Sequence, residues 1–571
     1  TANIQGLSAT QLAAVGTANI TAIDEADITA LGSIQLRGLT GPQAGQLTTG
    51  QLIALSSVGV RGLTTTALQQ ISTTKISVLQ TDDIAALNSA QLAGFTTAQL
   101  EAFTDGDTGQ VGAVSSLAIR GLSTAQLSAL GAPPNLAGLT STQLSNLATD
   151  QIVATDQFDL LQLTSVQIRG LSPTQVGALS TAELLEFTAA SIVGLSSSAL
   201  LQLGTSKIAV LESRDVVGLS SVQVAGLGTE QVFVLLSAQV AALTSGALKG
   251  LGVTQLNALG TTQALGLSAS NLKGLATAQI GAIVSNVLPS VPTASFGALA
   301  SAQVGGFDIS QLGQITSGQL LAISSGAIRG LGANIGLLST AQLQGLVSSN
   351  VAGLSTAQLV ALGTDKLAAL DSSDVSGLSS VQIAGFGTEQ VALLSTLQLQ
   401  SVSSAALRGF TTAQLRQIDT SNITALTTAA LAGMTSLQLR SLSTAQLSAF
   451  NDNQVGALPS LAVRGLTTDL LGALGVASMN GLTTDQIAVL STSDLRIAQL
   501  SSAQAVGLTT AQVSNLSDAQ ISAFTSISIR GLTTAAVQRL STSQLQALDS
   551  VNIKGLVTAQ LAAIGTDKVD D

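Results

Sequence analysis

The side chains able to do chemistry in this chain are few in kind. Ser and Thr recur throughout, Lys and Arg total 20, and Asp and Glu total 31 over 571 residues. His and Cys, the commonest bases, nucleophiles and metal ligands, are both absent. What remains is Ser–Lys or paired-carboxylate catalysis, or oxygen coordination of a hard cation. Ser and Thr, however, fall wherever a helix cap is needed, which explains their abundance without a catalytic site. For cation binding, four acidic groupings stand out: Asp24, Glu25 and Asp27; Asp82 and Asp83; Asp105 and Asp107; Asp371 and Asp374. The loop from Asp105 to Gly109 offers carboxylates and carbonyls to Ca²⁺. None of the four has EF-hand or GGxGxD-type spacing, and carboxylates at helix N-termini or in loops account for them. No catalytic, cofactor-binding or metal site is assigned, and the chain is read as a non-enzyme without cofactors.

The rest of the composition belongs to a repeat. Hydrophobic residues reach 46% and charged residues only 9%, with Trp and Tyr absent and Phe numbering 11. That is too apolar for disorder and too uncharged for an ordinary globular surface. The net charge of −11 and the lack of any basic run exclude counterion-release binding, so nucleic acid is not an expected partner. Ser, Thr or Gln interrupts every apolar stretch, so no membrane span is expected. No signal peptide is visible, and the start at Thr1 suggests a processed N-terminus or a piece of a longer chain.

Apolar residues return every eight positions, as in Val513, Ile521, Ile529, Val537, Leu545, Ile553, Leu561 and Val569. A second apolar position follows three residues after the first, at Leu516, Phe524, Leu532, Leu540, Leu548, Leu556 and Ile564. The unit is [ST]-[ST]-A-Q-φ-x-[AG]-L. The register slips at Asp105 to Gly109 (about three extra residues), at Pro133 and Pro134 (one extra), near Asn334 (one fewer) and between Leu495 and Ala505 (two extra). Across these slips the chain holds about 71 octads, so residues 1–571 form a single continuous array without room for another domain.

Neither a flat strand nor one long helix places both apolar positions on one face, because the spacings are odd and eight helical residues advance about 800°. The octad must bend. In Leu508 to Val513, Thr509 is placed to act as N-cap, Gln512 as its N3 partner in a capping box, and Leu508 to pack on Val513 as a hydrophobic staple. The Gly of Arg530-Gly531-Leu532 sits where such a helix should end. The predicted fold is an all-α solenoid or superhelix of short capped helices, one per octad, each held by stacking on its neighbours. The alternative is a β-solenoid in which Ser, Thr and Val supply strand preference.

Two features bear on the winding. The stretch from Gly204 recurs from Gly363, displaced by 159 residues, or twenty octads less one residue. Many basic residues directly follow the first apolar anchor, among them Arg37, Arg61, Arg120, Arg169, Lys249, Lys273, Arg329, Arg408 and Arg416, often three, seven or ten octads apart. Both suit about 3.3 octads, or about 27 residues, per turn.

The units Leu122–Leu130 (LSTAQLSAL) and Leu354–Leu362 (LSTAQLVAL) resemble the LTTAQIAAL tracts of very large secreted or surface-anchored proteins of proteobacteria. Such proteins are variously labelled adhesins, haem-utilisation proteins or uncharacterised repeat proteins. The resemblance implies an extracellular or cell-surface location. The haem label gains nothing here, since only Met434 and Met479 could approach iron. The function expected is structural: an extracellular rod, filament or stalk, with copies of itself as partners, end to end or laterally. In-register ends, from Ile4 and Leu7 to Ile564 and Val569, suggest end-to-end stacking. The alternative is an adhesin or ligand-binding module for a glycan or an ice surface, whose partner is a cell surface or extracellular matrix.

Overall fold

Each octad's own residues decide where its helix starts. In Thr510–Ser514 the N-cap Thr509 is extended (φ −71°, ψ 155°), and its hydroxyl accepts the Gln512 N–H at 3.1 Å. Gln512 Oε1 in turn accepts the Thr509 N–H at 2.8 Å, closing the capping box. Leu508 and Val513 are both buried, as a staple requires. The helix stops where the second apolar anchor turns extended, as at Leu47 (φ −50°, ψ 133°), so anchor and next N-cap together make a two-residue corner.

A computed structural model describes residues 3–104, 109–130, 136–154, 160, 162–474 and 479–568, and among them it is all-α, with no strand. The fold is the solenoid of short capped helices, and the β-solenoid alternative is set aside. The α-helices run from four residues, as in Ser57–Val60, to seven in Gly204–Val210, and short 3₁₀ turns such as Ser528–Gly531 replace them in some octads. Helices this short do not persist alone in water, since nucleation consumes most of what one or two turns gain. Burial of both anchors in most coils supplies the stability, as at Leu52 and Leu55, whereas near the C-terminal end Ile553 and Leu561 are exposed.

Two compact units make up the chain, Thr1–Ser295 and Phe296–Asp571. In the first, Gly41–Gln46 packs on Thr65–Gln69 and Ser57–Val60 on Thr81–Ala86, each pair three helices apart. In the second, Thr412–Gln417 packs on both Thr388–Ala392 and Ser436–Ser441, with the same step. Leu12, Leu52, Leu343 and Leu399 are fully buried first anchors, and second anchors such as Phe95 and Phe103 meet edge to face at 5.6 Å inside the coil.

Glycine marks where coils come closest. A Cβ on Gly38 or Gly409 would lie 2.0 Å from the carbonyl oxygen of Ala9 or Ser380, one coil earlier. Gly531 does close its 3₁₀ turn, but not as a left-handed cap: positive φ among the described glycines is confined to Gly204, Gly332 and Gly363. Its role is proximity, since its Cβ would meet the Ser502 carbonyl at 1.8 Å.

Candidate functional site

The feature repeated most often is the N3 glutamine, whose amide works at both ends. Gln51 Oε1 accepts the N–H of its own N-cap, Thr48, at 3.0 Å. Its Nε2 donates to the carbonyls of Ile20 and Ile23 in the preceding coil, both at 2.8 Å. Gln99 does the same with Leu68 and Ile71, and in the second unit Gln438 with Leu407 and Phe410. Gln51, Gln99 and Gln438 are all buried. One side chain therefore caps its own helix and ties it to carbonyls that the short helices leave poorly satisfied.

These links bridge 31 and 28 residues in the regular octads. Around the inserted segment at Asp105 to Gly109 they lengthen to 34 and 31 at Gln110, and beyond Pro133 and Pro134 to 32 and 29 at Gln143. After Asn334 they shorten to 30 and 27 at Gln342. Each change equals the slip in the sequence, so the coils absorb insertions without losing the link. Past Leu495 the links fall to 25 and 22 at Gln504 and Gln512, as a coil does that drops one octad and gains two residues. Asp105, Asp107, Pro133, Pro134 and Val569 themselves lie outside the described residues.

Ala takes the N3 slot in some helices, as at Ala67, Ala199 and Ala406, but other polar side chains there also bond the preceding coil. Lys75 and Lys568 share one carbonyl of the glutamine pair, 28 residues earlier, and take the one 30 residues earlier as well, Lys75 reaching Leu47 at 2.6 Å and Gly45 at 3.4 Å and Lys568 reaching Leu540 and Gln538 at 2.8 and 2.9 Å. Lys207 and Lys366 bond Gly177 and Gly336. Asn271 reaches Val240 at 2.8 Å, and Ser295 reaches Leu267 at 2.7 Å. All are donors. Asp83, Glu183, Asp215 and Asp374 occupy the slot as acceptors, and each has a buried carboxylate oxygen with no hydrogen-bond partner. Burial pushes the Asp83 carboxyl up to about 6, with the charge of Asp82 adding to it. Burial likewise pushes Asp374 up to about 6, with Asp371 adding, and raises Asp215 against the pull of Arg214.

The three acidic groupings among the described residues resolve into helix starts. Glu25 and Asp27 lie in the first turn of Glu25–Ala30, and Asp82 in that of Thr81–Ala86. Asp371 is an N-cap whose Oδ1 accepts the Asp374 N–H at 2.9 Å, and hydrogen bonds from Ser373 and Asp374 hold its carboxyl below the usual range. Among the described residues no group of three or more His, Cys, Asp or Glu is placed to hold a metal ion. Met434 and Met479 are buried anchors. Of the basic residues after the first anchor, Arg120, Arg329 and Arg416 reach forward to the next coil, donating Nε to Asn146, Gly353 and Ser441 at 2.6, 2.8 and 2.8 Å.

The sequence reading placed Gln512 in a capping box but missed the second half of its job. A signal existed. Glu serves a capping box as well as Gln does, yet the repeat writes Gln at this position many times and Glu rarely, as at Glu183, which betrays a preference for a donor.

Fold and linkage together define a helical octapeptide solenoid, a repeat protein. The family model described as the ALTTAQ repeat matches 76–106, 208–245 and 367–404, and the chain is similar to that family in these three stretches. No curated protein matches the chain. Each matched stretch begins on the residue after an N3 lysine, Lys75, Lys207 or Lys366, and carries an N3 aspartate, Asp83, Asp215 or Asp374. Among the described residues no helix is long and apolar enough to cross a membrane.

Proposed function

We propose that the chain is a structural protein, the coiled body of an extracellular rod, filament or stalk, without enzymatic activity, and that it associates with copies of itself. The observation that carries this reading is the glutamine link. Its acceptors are backbone carbonyls, so each coil offers the next the same docking surface whatever its side chains. Such an interface propagates without a set end. The low proportion of charged residues, 9%, and the absence of Cys suit a chain whose neighbours are other coils.

Electron microscopy of the purified chain tests it. Fibres of constant width, or rods joining into them as concentration rises, are expected without any added ligand. Isolated particles at every concentration sink the filament reading.

A binding module is the second reading, and exposed apolar side chains at N2 favour it. Ile34 and Val58, 75% and 61% exposed, stand on helices packed against each other in the first unit. Leu437 and Leu461, 67% and 73% exposed, do so in the second. Monomeric particles retained on cells or on immobilised glycans would decide for that reading.

A further inference from the structure

The N3 slot faces carbonyls of the preceding coil that a donor side chain satisfies, yet at Asp83, Asp215 and Asp374 it holds a carboxyl group. Asp215 and Asp374 are 0% exposed and Asp83 2%. Asp83 Oδ2, Asp374 Oδ1 and both oxygens of Asp215 lack hydrogen-bond partners. Asparagine shows how far a side chain of this length reaches from the slot. Asn271 Nδ2 donates to the Val240 carbonyl, 31 residues earlier, at 2.8 Å, and Asn350 Nδ2 to Ile323 at 2.7 Å. A protonated Asp is the isostere of Asn, with an O–H where Asn has an N–H.

We propose that Asp83, Asp215 and Asp374 are proton-operated links between coils. In the neutral form the carboxyl O–H donates to the carbonyl one coil earlier, which by register is that of Leu52, Leu184 or Leu343. Ionisation passes the proton to solvent, removes the donor and leaves an anion facing carbonyl oxygens in a buried site.

The surroundings favour the neutral form. The helix of Asp83 packs on Ser57–Val60 and Gln110–Ala113, that of Asp215 on Ala189–Ile192 and Ser237–Ala242, and that of Asp374 on Ser348–Gly353 and Thr396–Gln400. None of these six helices carries a titratable or charged residue. The charges near each site come from its own helix and cap: Asp82; Arg214 and Glu212; Asp371. Lys75, Lys207 and Lys366, one octad before each aspartate, spend their ammonium groups on carbonyls of the preceding coil. The raised carboxyl of each aspartate agrees with this geometry.

The sign follows. A carboxyl raised in the folded chain stabilises it fully below the unfolded value of 3.8, and the contribution is lost as pH rises through about 6. For Asp83 and Asp374 that amounts to about 100-fold in the local closing equilibrium between pH 4 and pH 8.

The test compares the full chain with D83N/D215N/D374N, the Asn being a residue the slot already accepts. Amide hydrogen exchange, corrected for intrinsic rates, is followed in Thr81–Ala86, Ser213–Val216 and Ser372–Ser376 from pH 4.5 to 8. At Asp83 and Asp374 the wild-type chain is expected to lose about 30-fold in protection relative to the variant across this range, and at Asp215 to lose protection in the same direction. Carboxyl ¹³C resonances of Asp83 and Asp374 should titrate near 6, and that of Asp215 above the ordinary carboxylate range. Equal pH dependence in both chains, or resonances titrating near 4, would overturn the proposal. So would millimolar Ca²⁺ restoring protection at pH 7.5 in the wild type but not in the variant, because a cation would then be the link.

Discussion

Among neutral side chains of its length, only glutamine offers an acceptor and a two-proton donor on one rigid amide. The octad uses all three functions: Oε1 serves the helix that carries it, and the two protons serve the coil before. Glu keeps the first function and destroys the second, since its outer oxygen would face two carbonyls. Gln99→Glu is therefore expected to preserve the cap at Thr96 but to cost about 1–3 kcal/mol locally at pH 7.5. The penalty should shrink at pH 4.5, because a carboxyl held above its normal range is stabilising only while protonated. Hydrogen exchange in Thr65–Gln69 and Thr97–Glu101 measures both, and equal protection of the two chains at pH 7.5 would dispose of the donor role.

At the scale of the element, sequence-local causes and sequence-distant ones separate cleanly. The cap at Thr509, the box with Gln512 and the staple of Leu508 on Val513 all lie within six residues, and each was legible because every partner is a near neighbour in the chain. The destination of Gln512 Nε2, Ile487 and Leu490, depends on how the coil closes, which no local pattern encodes. The glycines failed for the same reason. Gly531 reads as a terminator from its neighbours, whereas the constraint comes from Ser502, one coil away. Gly409→Ala tests that constraint: the added methyl would meet the Ser380 carbonyl, and a loss of about 1–3 kcal/mol is expected from forced separation of the coils. Thermal denaturation together with exchange at Ser380–Ala384 checks it. Gly246→Ala, whose nearest atom lies at 3.8 Å, is the neutral control.

For the molecule as a whole, stability is a sum over nearest-neighbour coils rather than a property of one shared core. Each unit should then open coil by coil from its weakest point. Urea unfolding is expected to show an apparent m-value well below that of a two-state chain of 571 residues, with circular dichroism and exchange transitions that do not coincide. A single sharp transition shared by all probes would contradict this picture. The period of the coil was partly legible: the links of 22 to 34 residues bracket the value of about 27 drawn from the duplication and the basic residues. What the sequence withheld was the means of closure, since the acceptors belong to the backbone and leave no mark in the residue alphabet.

The coil before Gln504 carries a consequence for how such a chain changes over time. It is one octad short, and its neighbours are joined as firmly as any others. A copying error that adds or removes a few octads therefore leaves no orphaned partner behind, because whatever stretch arrives next brings its own amides and finds carbonyls waiting. Length in this architecture is free to drift, by whole octads and, at the few slips, by single residues.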